Sequence, residues 1–525
     1  MTQQSEPSRL IDELLTRRGM LKASAVGGAG LLLAGSPAVA SAKLLGRAAA
    51  GGNLTIGSTT DMAPSNFLRT GTNGTSASLL FDTLANVKPG TTKLVPAVAS
   101  SWEWNKPGTE LTIKLRDDVR YHTGRKLTPE DVIFSFETTK NPLYQAQIGP
   151  TVELVKSFKV TGKHELRVTL ERSMPEFEAA LALVPMIDQK TVSGLFDATQ
   201  VVGTGPFKFD SWQPQNNFTV SRNPHYWQKG APVLSGVTVN FYSSATALVN
   251  ALRAGEISMA YNLVPSQVQL LVQGGQFAAN TSNPAFAEYY LGVNVKAAPF
   301  DDVRVRQAVA YSLDRARILQ EAFSGFGKQT CLPWAATLPG IPDSYANFYG
   351  YEPAKAKQLL KEAGLNKPTV TITTGAGNTT TAAILNVVEY NLSQSGFNVN
   401  SQSVAATTFQ ADIAQANIPG LWINNVGQTY LDIPTVLLGN APFEIGANTS
   451  NVTDPRYKQL ADAVVFAKTT AQQAKANKAL SQYVLNQAWH ITFAQAPITS
   501  AIVKSLTGVS STGQSALSLT SAKLS

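Results

Sequence analysis

At 525 residues the chain is too long for one compact core, and 43% hydrophobic with 15% charged residues excludes both a disordered chain and a membrane-embedded one. The formal charge is +8, but Lys and Arg are scattered with no basic run interleaved with aromatics, which argues for surface solvation and no nucleic-acid partner. A single cysteine, Cys331, excludes an intrachain disulfide framework, and His122, His164, His225 and His490 do not stand at metal-ligand spacing, so no metal site or cofactor is expected.

In chain order, Thr16–Lys22 carries the pair Arg17-Arg18 and precedes the uncharged stretch Ala23–Ala42. Fourteen of those 20 residues are Ala, Gly or Ser, and Pro37 interrupts them, so partition into a bilayer core is weak despite a spanning length. The arginine pair, the mild apolar region and the small-residue end Ala38–Ala42 fit a cleavable twin-arginine export signal over residues 1–42. The alternative is a retained anchor. Leu33-Ala34-Gly35-Ser36 has the form of a lipobox with Ser36 where the lipid-bearing cysteine belongs, so no lipid is expected there. Resemblance to twin-arginine substrates implies the translocase as a partner during export and a periplasmic or extracytoplasmic destination.

Leu54–Ile56 opens as a short strand. Leu111, Ile113 and Leu115 alternate with polar residues, as do Leu166, Val168 and Leu170, the pattern of half-buried strands. Val237–Tyr242 and Val370–Ile372 are short and β-branched. Thr128 caps a helix with Pro129 at its first position and Glu130 and Asp131 in its positive first turn. Asp301 or Asp302 caps a helix with Val305, Val309, Leu313, Ala316, Leu319 and Phe323 on one face, ending near Gly325. Further helices are expected from Pro353 to Gly364 and from Thr470, with Gln473 at its capping-box position. Strands and helices intermix throughout, which makes the class mixed α/β.

Leu94–Glu103, Asp118–Gly124, Leu127–Phe136, Gly203–Phe209, Arg222–Trp227, Leu252–Ile257, Gly292–Asn294, Pro299–Ala308 and Tyr351–Leu360 resemble, in order and spacing, the family 5 extracellular solute-binding proteins of the dipeptide- and oligopeptide-binding type. The resemblance covers nearly all of the chain after residue 52. It implies the large type II periplasmic-binding-protein fold: lobe 1 from 43–287 plus 498–525, with a subdomain inserted at about 85–200, and lobe 2 from 288–497. Hinge crossings are expected near Glu288–Val293 and His490–Pro497. It also implies a monomer that delivers a small polar solute to the permease and ATPase subunits of an ABC importer. Gly203–Phe209 lacks the Gly-Lys-Ser/Thr ending of a phosphate loop and reads as a turn.

From Thr369 through Thr453 there is no Lys, Arg or His, but four acids, Glu389, Asp412, Asp432 and Glu444. This run is either a weakly charged packed lobe or a cleft wall for neutral or cationic ligands. Within it Leu421–Thr435 looks like the family's binding loop, with Gln428 or Thr429 in place of the aspartate that holds a peptide's amino terminus. That departure favours a neutral or cationic non-peptide polar solute over a peptide. The candidate ligand-binding residues are Trp422 and Tyr430 as walls and Asn424, Asn425 and Thr429 as hydrogen-bonding groups. Asn66, after the first strand, and Asn294, beside the expected hinge, complete the set; each asparagine reads equally as a loop cap. Trp334 is a further cleft candidate, although Pro333 favours a packed loop.

An exported hydrolase needs a nucleophile beside a base, a carboxylate pair or a metal. Gly-x-Ser-x-Gly is absent, and the neighbours Asp117-Asp118 and Asp301-Asp302 suit helix caps better than shared acid–base work, so no catalytic residue is expected. A binding module serving a sensor instead of an importer fits the same sequence.

Overall fold

The computed structural model describes residues 51–525 apart from 65–66, 69–73, 89–90, 92, 142–143, 145, 147, 283–286, 428–431 and 512–515. The expected export signal and the candidates Asn66, Thr429 and Tyr430 lie outside the described residues.

Two large sheets organise the molecule. The first has seven strands in the spatial order Phe277–Thr281, Thr499–Val503, Met259–Ala260, Asn53–Ser58, Gly236–Phe241, Asn217–Arg222 and Phe207–Gln213. The second has six, in the order Lys328–Gln329, His490–Ala496, Ala287–Val293, Leu421–Gly427, Thr369–Gly375 and Asn398–Val404. A four-stranded antiparallel sheet, Ala99–Trp104, Glu110–Leu115, Glu165–Leu170 and Val155–Gly162, stands apart from both. It coincides with the alternating segments read from the sequence: Leu111, Ile113, Leu166 and Val168 are fully buried, because period-two alternation turns them to one face.

The chain passes between the large sheets twice. Strand 277–281 of the first sheet is followed by 287–293 of the second, and 490–496 of the second by 499–503 of the first. The expected crossings at 288–293 and 490–497 thus fall on strands that are paired along their whole length within the second sheet, and the change of sheet comes just outside them. A backbone held in a ladder cannot also turn, so the change falls where pairing stops. The two passages are tied together. Ser282 N–H donates to the Ile498 carbonyl (2.9 Å), and Ile498 N–H donates to Ser282 Oγ (2.8 Å).

The helix expected from Asp302 to Gly325 is two helices, Val303–Tyr311 and Arg315–Phe323. Asp314 interrupts the pattern: its side chain accepts from Arg317 N–H and caps the second helix. The last long helix, Thr470–Gln487, is capped by Thr469, whose Oγ1 accepts from Gln472 N–H (3.1 Å), so Gln472 and not Gln473 holds the third position, and its Oε1 accepts from Lys468 N–H (2.9 Å). The helix Pro129–Thr139 has the expected N-cap at Thr128 and Pro129 at its first position, and Asp131 adds a capping box by accepting from Thr128 N–H (3.0 Å). Arg125 clamps the buried carboxylates of Asp131 and Asp188 in the same place. Cys331 is a buried small side chain, and Trp334 is buried with its indole N–H on Ser481 Oγ (2.9 Å), a packed residue.

Candidate functional site

Strands 369–375 and 421–427 run parallel, so both carboxyl ends, Gly375 and Gly427, point the same way. Strand 287–293 is antiparallel to 421–427, which puts Ala287 beside Gly427, and Ala287 also pairs with Ala496. The carboxyl ends of the parallel strands and both passages to the first sheet therefore share one end of the second sheet. In open α/β sheets that crevice is where ligands bind.

Register then fixes which side chains share a face. Gly292 lies opposite Trp422 on one side and His490 on the other; Tyr290 lies opposite Asn424 and Thr492; Glu288 lies opposite Val426 and Gln495. The other face of the same strands presents Leu291, Val293, Leu421, Ile423 and Ile491 to the core, all buried. One face is apolar. The other carries Trp422, His490, Asn424, Tyr290, Thr492, Glu288 and Gln495.

This polar face is buried. Glu288 and His490 have no exposed side-chain surface, and His490 Nε2 sits 3.0 and 3.1 Å from the two carboxylate oxygens. The Tyr290 ring stacks on the His490 imidazole with centroids 4.0 Å apart, and Phe443 packs on it at 4.4 Å. Burial pushes the Tyr290 phenol well up from its ordinary value. Tyr290 faces Trp422 and Asn424, yet neither Tyr290 Oη nor Trp422 Nε1 reaches hydrogen-bond geometry with any protein group. Thr492 Oγ1, Gln495 Nε2 and His490 Nδ1 are likewise without a protein partner.

Of the candidates from sequence, the structure brings Trp422 and Asn424 onto this face. Trp422 packs with Tyr290, Phe409, Ile413 and Ile418. Asn425 is exposed and, by alternation, faces the opposite way. Asn294 follows Val293, at the end of the sheet away from the passages. Its amide serves local loops there, donating to the Ile418 carbonyl (2.9 Å) and accepting from Lys296 N–H (3.1 Å) and Asn451 Nδ2 (3.3 Å). Asp432 caps the helix Ile433–Gly439 through Thr435 N–H (2.6 Å) and Thr435 Oγ1 (3.0 Å), and burial pushes its carboxyl up to about 6. Glu288, Tyr290, His490, Thr492 and Gln495 were not singled out by their sequence. The available signal was polar residues at every second position of Glu288–Gly292, and it gains meaning only beside the neighbouring strands.

Two α/β sheets joined by paired passages, the second with a buried polar strand face that reaches the passages at Glu288 and Gln495, form the architecture of a periplasmic binding protein. Whole-fold comparison agrees. The chain superposes on the periplasmic binding protein AgaA of A. tumefaciens R10 in complex with agropinic acid with a TM-score of 0.75 at 22% identity, covering 90% of this chain and 99% of that one. For NikA of Brucella suis in complex with Fe(III)-EDTA the TM-score is 0.77 at 18% identity, covering 88% and 98%. The chain belongs to the bacterial extracellular solute-binding proteins, family 5, whose middle-region family model matches residues 93–441. It is 28% identical over 355 residues, 62% of this chain, to di/tripeptide-binding protein 2 of Pseudomonas aeruginosa. It is 29% identical over 326 residues, 55% of this chain, to heme-binding protein A of Haemophilus influenzae. The matching stretches span 66% and 57% of those two relatives' own lengths, under two thirds of each.

Proposed function

We propose that the protein is the extracytoplasmic solute-binding subunit of an ATP-binding-cassette importer, capturing a small polar solute between two closing lobes and handing it unaltered to a membrane permease and its ATPase. The observation that carries this reading is the buried polar face of the second sheet, which runs from Trp422 and His490 to Glu288 and Gln495, the last two beside the passages to the first sheet. A solute that touches both halves binds the closed arrangement more strongly than the open one and shifts the balance between them. Micromolar capture corresponds to about −8 kcal/mol, weak enough for release to a permease.

The solute we favour is neutral or cationic and not a peptide. The run without Lys, Arg or His, from Thr369 through Thr453, supplies three of the six strands of the second sheet. Asp432 is engaged as a helix cap, which leaves it poorly placed to hold a peptide amine. Relatives named for di/tripeptides and for heme fit a fold that accommodates diverse guests. Among the described residues no helix is long and apolar enough to cross a membrane. The paired Arg17 and Arg18 supply the address for twin-arginine export.

A thermal-shift screen of the purified protein against sugars, polyamines, peptides and metal chelates tests this, because a solute that binds only the native state raises the melting temperature. Small-angle scattering with a confirmed solute is expected to show compaction. A solute that binds without compaction, or that is recovered chemically changed, would sink the reading.

A further inference from the structure

The polar face has a property that a structural role does not explain. Trp422, Tyr290 and Thr492 are almost wholly buried and Gln495 is 7% exposed, yet Trp422 Nε1, Tyr290 Oη, Thr492 Oγ1 and Gln495 Nε2 have no protein partner. Buried polar atoms in folded proteins are nearly always hydrogen-bonded, and each exception calls for an explanation. One orphan is commonplace; four on three adjacent strands, each within two residues of Tyr290 in register, are a cluster. Tyr290 Oη faces the Trp422 indole and the Asn424 amide outside hydrogen-bond geometry, Thr492 Oγ1 and Gln495 Nε2 have no protein partner, and apolar packing supplies the walls: Phe409, Ile413 and Ile418 beside Trp422 and Tyr290, and Phe443 over His490.

Resting on the solute-binding reading above, we propose that Tyr290, Trp422, Thr492 and Gln495 form the floor of a subsite for the hydroxyl and carbonyl oxygens of an uncharged solute, such as a sugar or polyol. The donor inventory sets the class. An indole N–H and an amide NH2 donate only, and the two hydroxyls both donate and accept, so the floor suits oxygen atoms that do the same. Nothing on the floor brings a fixed positive charge to meet a carboxylate. Glu288, on the same face, would oppose an anion, and Lys328, opposite Gln495 on the edge strand, is exposed to solvent. The Glu288–His490 pair closes the face beneath Tyr290, and its ring stack holds the phenol in place. Gly292 belongs to the same design, since its missing side chain leaves the space the Trp422 indole occupies.

The test uses the full chain and the variants Tyr290→Phe, Thr492→Val and Gln495→Leu, with maltose, sorbitol and N-acetylglucosamine as neutral probes and gluconate and glycyl-leucine as charged ones. Because the deleted groups have no protein partner, the empty variants are expected to melt within about 2 °C of the parent or higher. Binding of the neutral probe that shifts the parent most is expected to fall about tenfold or more for each deletion. Variants that lose several degrees of stability while binding the probe as before would overturn the subsite, as would a parent shifted only by gluconate or glycyl-leucine. If no probe shifts the parent, the solute class proposed above fails separately. A crystal structure of the empty protein then decides the subsite: ordered waters on Tyr290 Oη and Trp422 Nε1 uphold it, and dry apolar packing against those atoms overturns it.

Discussion

The indole of Trp422 lies directly against Gly292 on the neighbouring strand, so close that a Cβ at position 292 would stand 2.1 Å from the ring. The Trp422 ring packs with Tyr290, Phe409, Ile413 and Ile418. Gly292→Ala is therefore expected to destabilise the protein by about 1–3 kcal/mol, the usual cost of overpacking a filled interior. Chemical denaturation reads this directly. Trp422→Ala in the same background should recover part of the loss, and a Gly292→Ala protein as stable as the parent would show that the contact relaxes freely.

Asp432 makes the stability of the protein sensitive to pH. Its carboxyl rises from an ordinary 3.8 to about 6, chiefly through burial. A carboxyl raised on folding favours the native state fully below its unfolded value and loses that contribution as pH climbs through the folded one. Asp432→Asn keeps a helix cap and removes the titration. The variant is expected to match the parent near pH 4 and to exceed it above pH 7, by up to about 2–3 kcal/mol for a shift of this size. Melting temperatures of the pair across pH 4–8 give the answer, and parallel curves would refute it. Asp82, buried against Tyr226 and Trp227 and pushed up to about 7, adds a titration of the same sign.

Arg125 ties together the start of the helix Pro129–Thr139 and the segment that carries Asp188. It holds Asp131 and Asp188, whose carboxylates are buried, and stands over the Tyr121 ring at 4.5 Å. Removing it strands two buried charges, so Arg125→Ala should cost about 3–5 kcal/mol. Replacing all three, with Asp131→Asn and Asp188→Asn, should cost less than Arg125→Ala alone. Urea unfolding of the single and triple variants tests the order.

A cation–π contact joins Arg172, just after strand Glu165–Leu170, to the end of a helix that lies in chain order between strands Leu421–Gly427 and His490–Ala496 of the second sheet. The Arg172 guanidinium lies 4.5 Å from the centroid of the Phe466 ring, at the end of the helix Pro455–Val465, beside a small crevice lined also by Leu154, Leu170 and Met174. A cation–π pair of this kind contributes about 0.5–1 kcal/mol at a partly exposed site. Arg172→Ala is expected to move the empty protein toward a more open form, seen as a larger radius of gyration in scattering, with little change in melting temperature. An unchanged radius would show that the contact does not govern opening.

How far the sequence carries can be seen strand by strand. Leu111, Ile113, Leu166 and Val168 declared their strands because alternation is a local property, and Thr128 with Pro129 and Asp131 declared a helix start for the same reason. The helix from Asp302 was read too long because Leu313 and Leu319 continue the apolar spacing across the break at Asp314; periodicity does not register a cap that arises in the middle of a run. Trp422 and Asn424 were singled out because they sit in a segment that looks like its family's binding loop, and the structure puts both on the face that carries Tyr290. Tyr290, Thr492 and Gln495 were not, since each is an ordinary strand residue until its neighbours are known.

By itself, then, the order of residues determined the mixed α/β class, the alternating strands of the four-stranded sheet, the paired arginines near the start and the family to which the chain belongs. Only the tertiary structure decided that the passages between sheets lie outside strands 287–293 and 490–496, that Asn294 serves a loop, and that Asn425 faces away from Trp422. It also decided that Glu288, Tyr290, Thr492, His490 and Gln495 share one buried face. The physical reason is that a side chain's face within a strand is set locally, every second residue, whereas its companions are set by pairing between segments some 200 positions apart, as for Glu288 and His490.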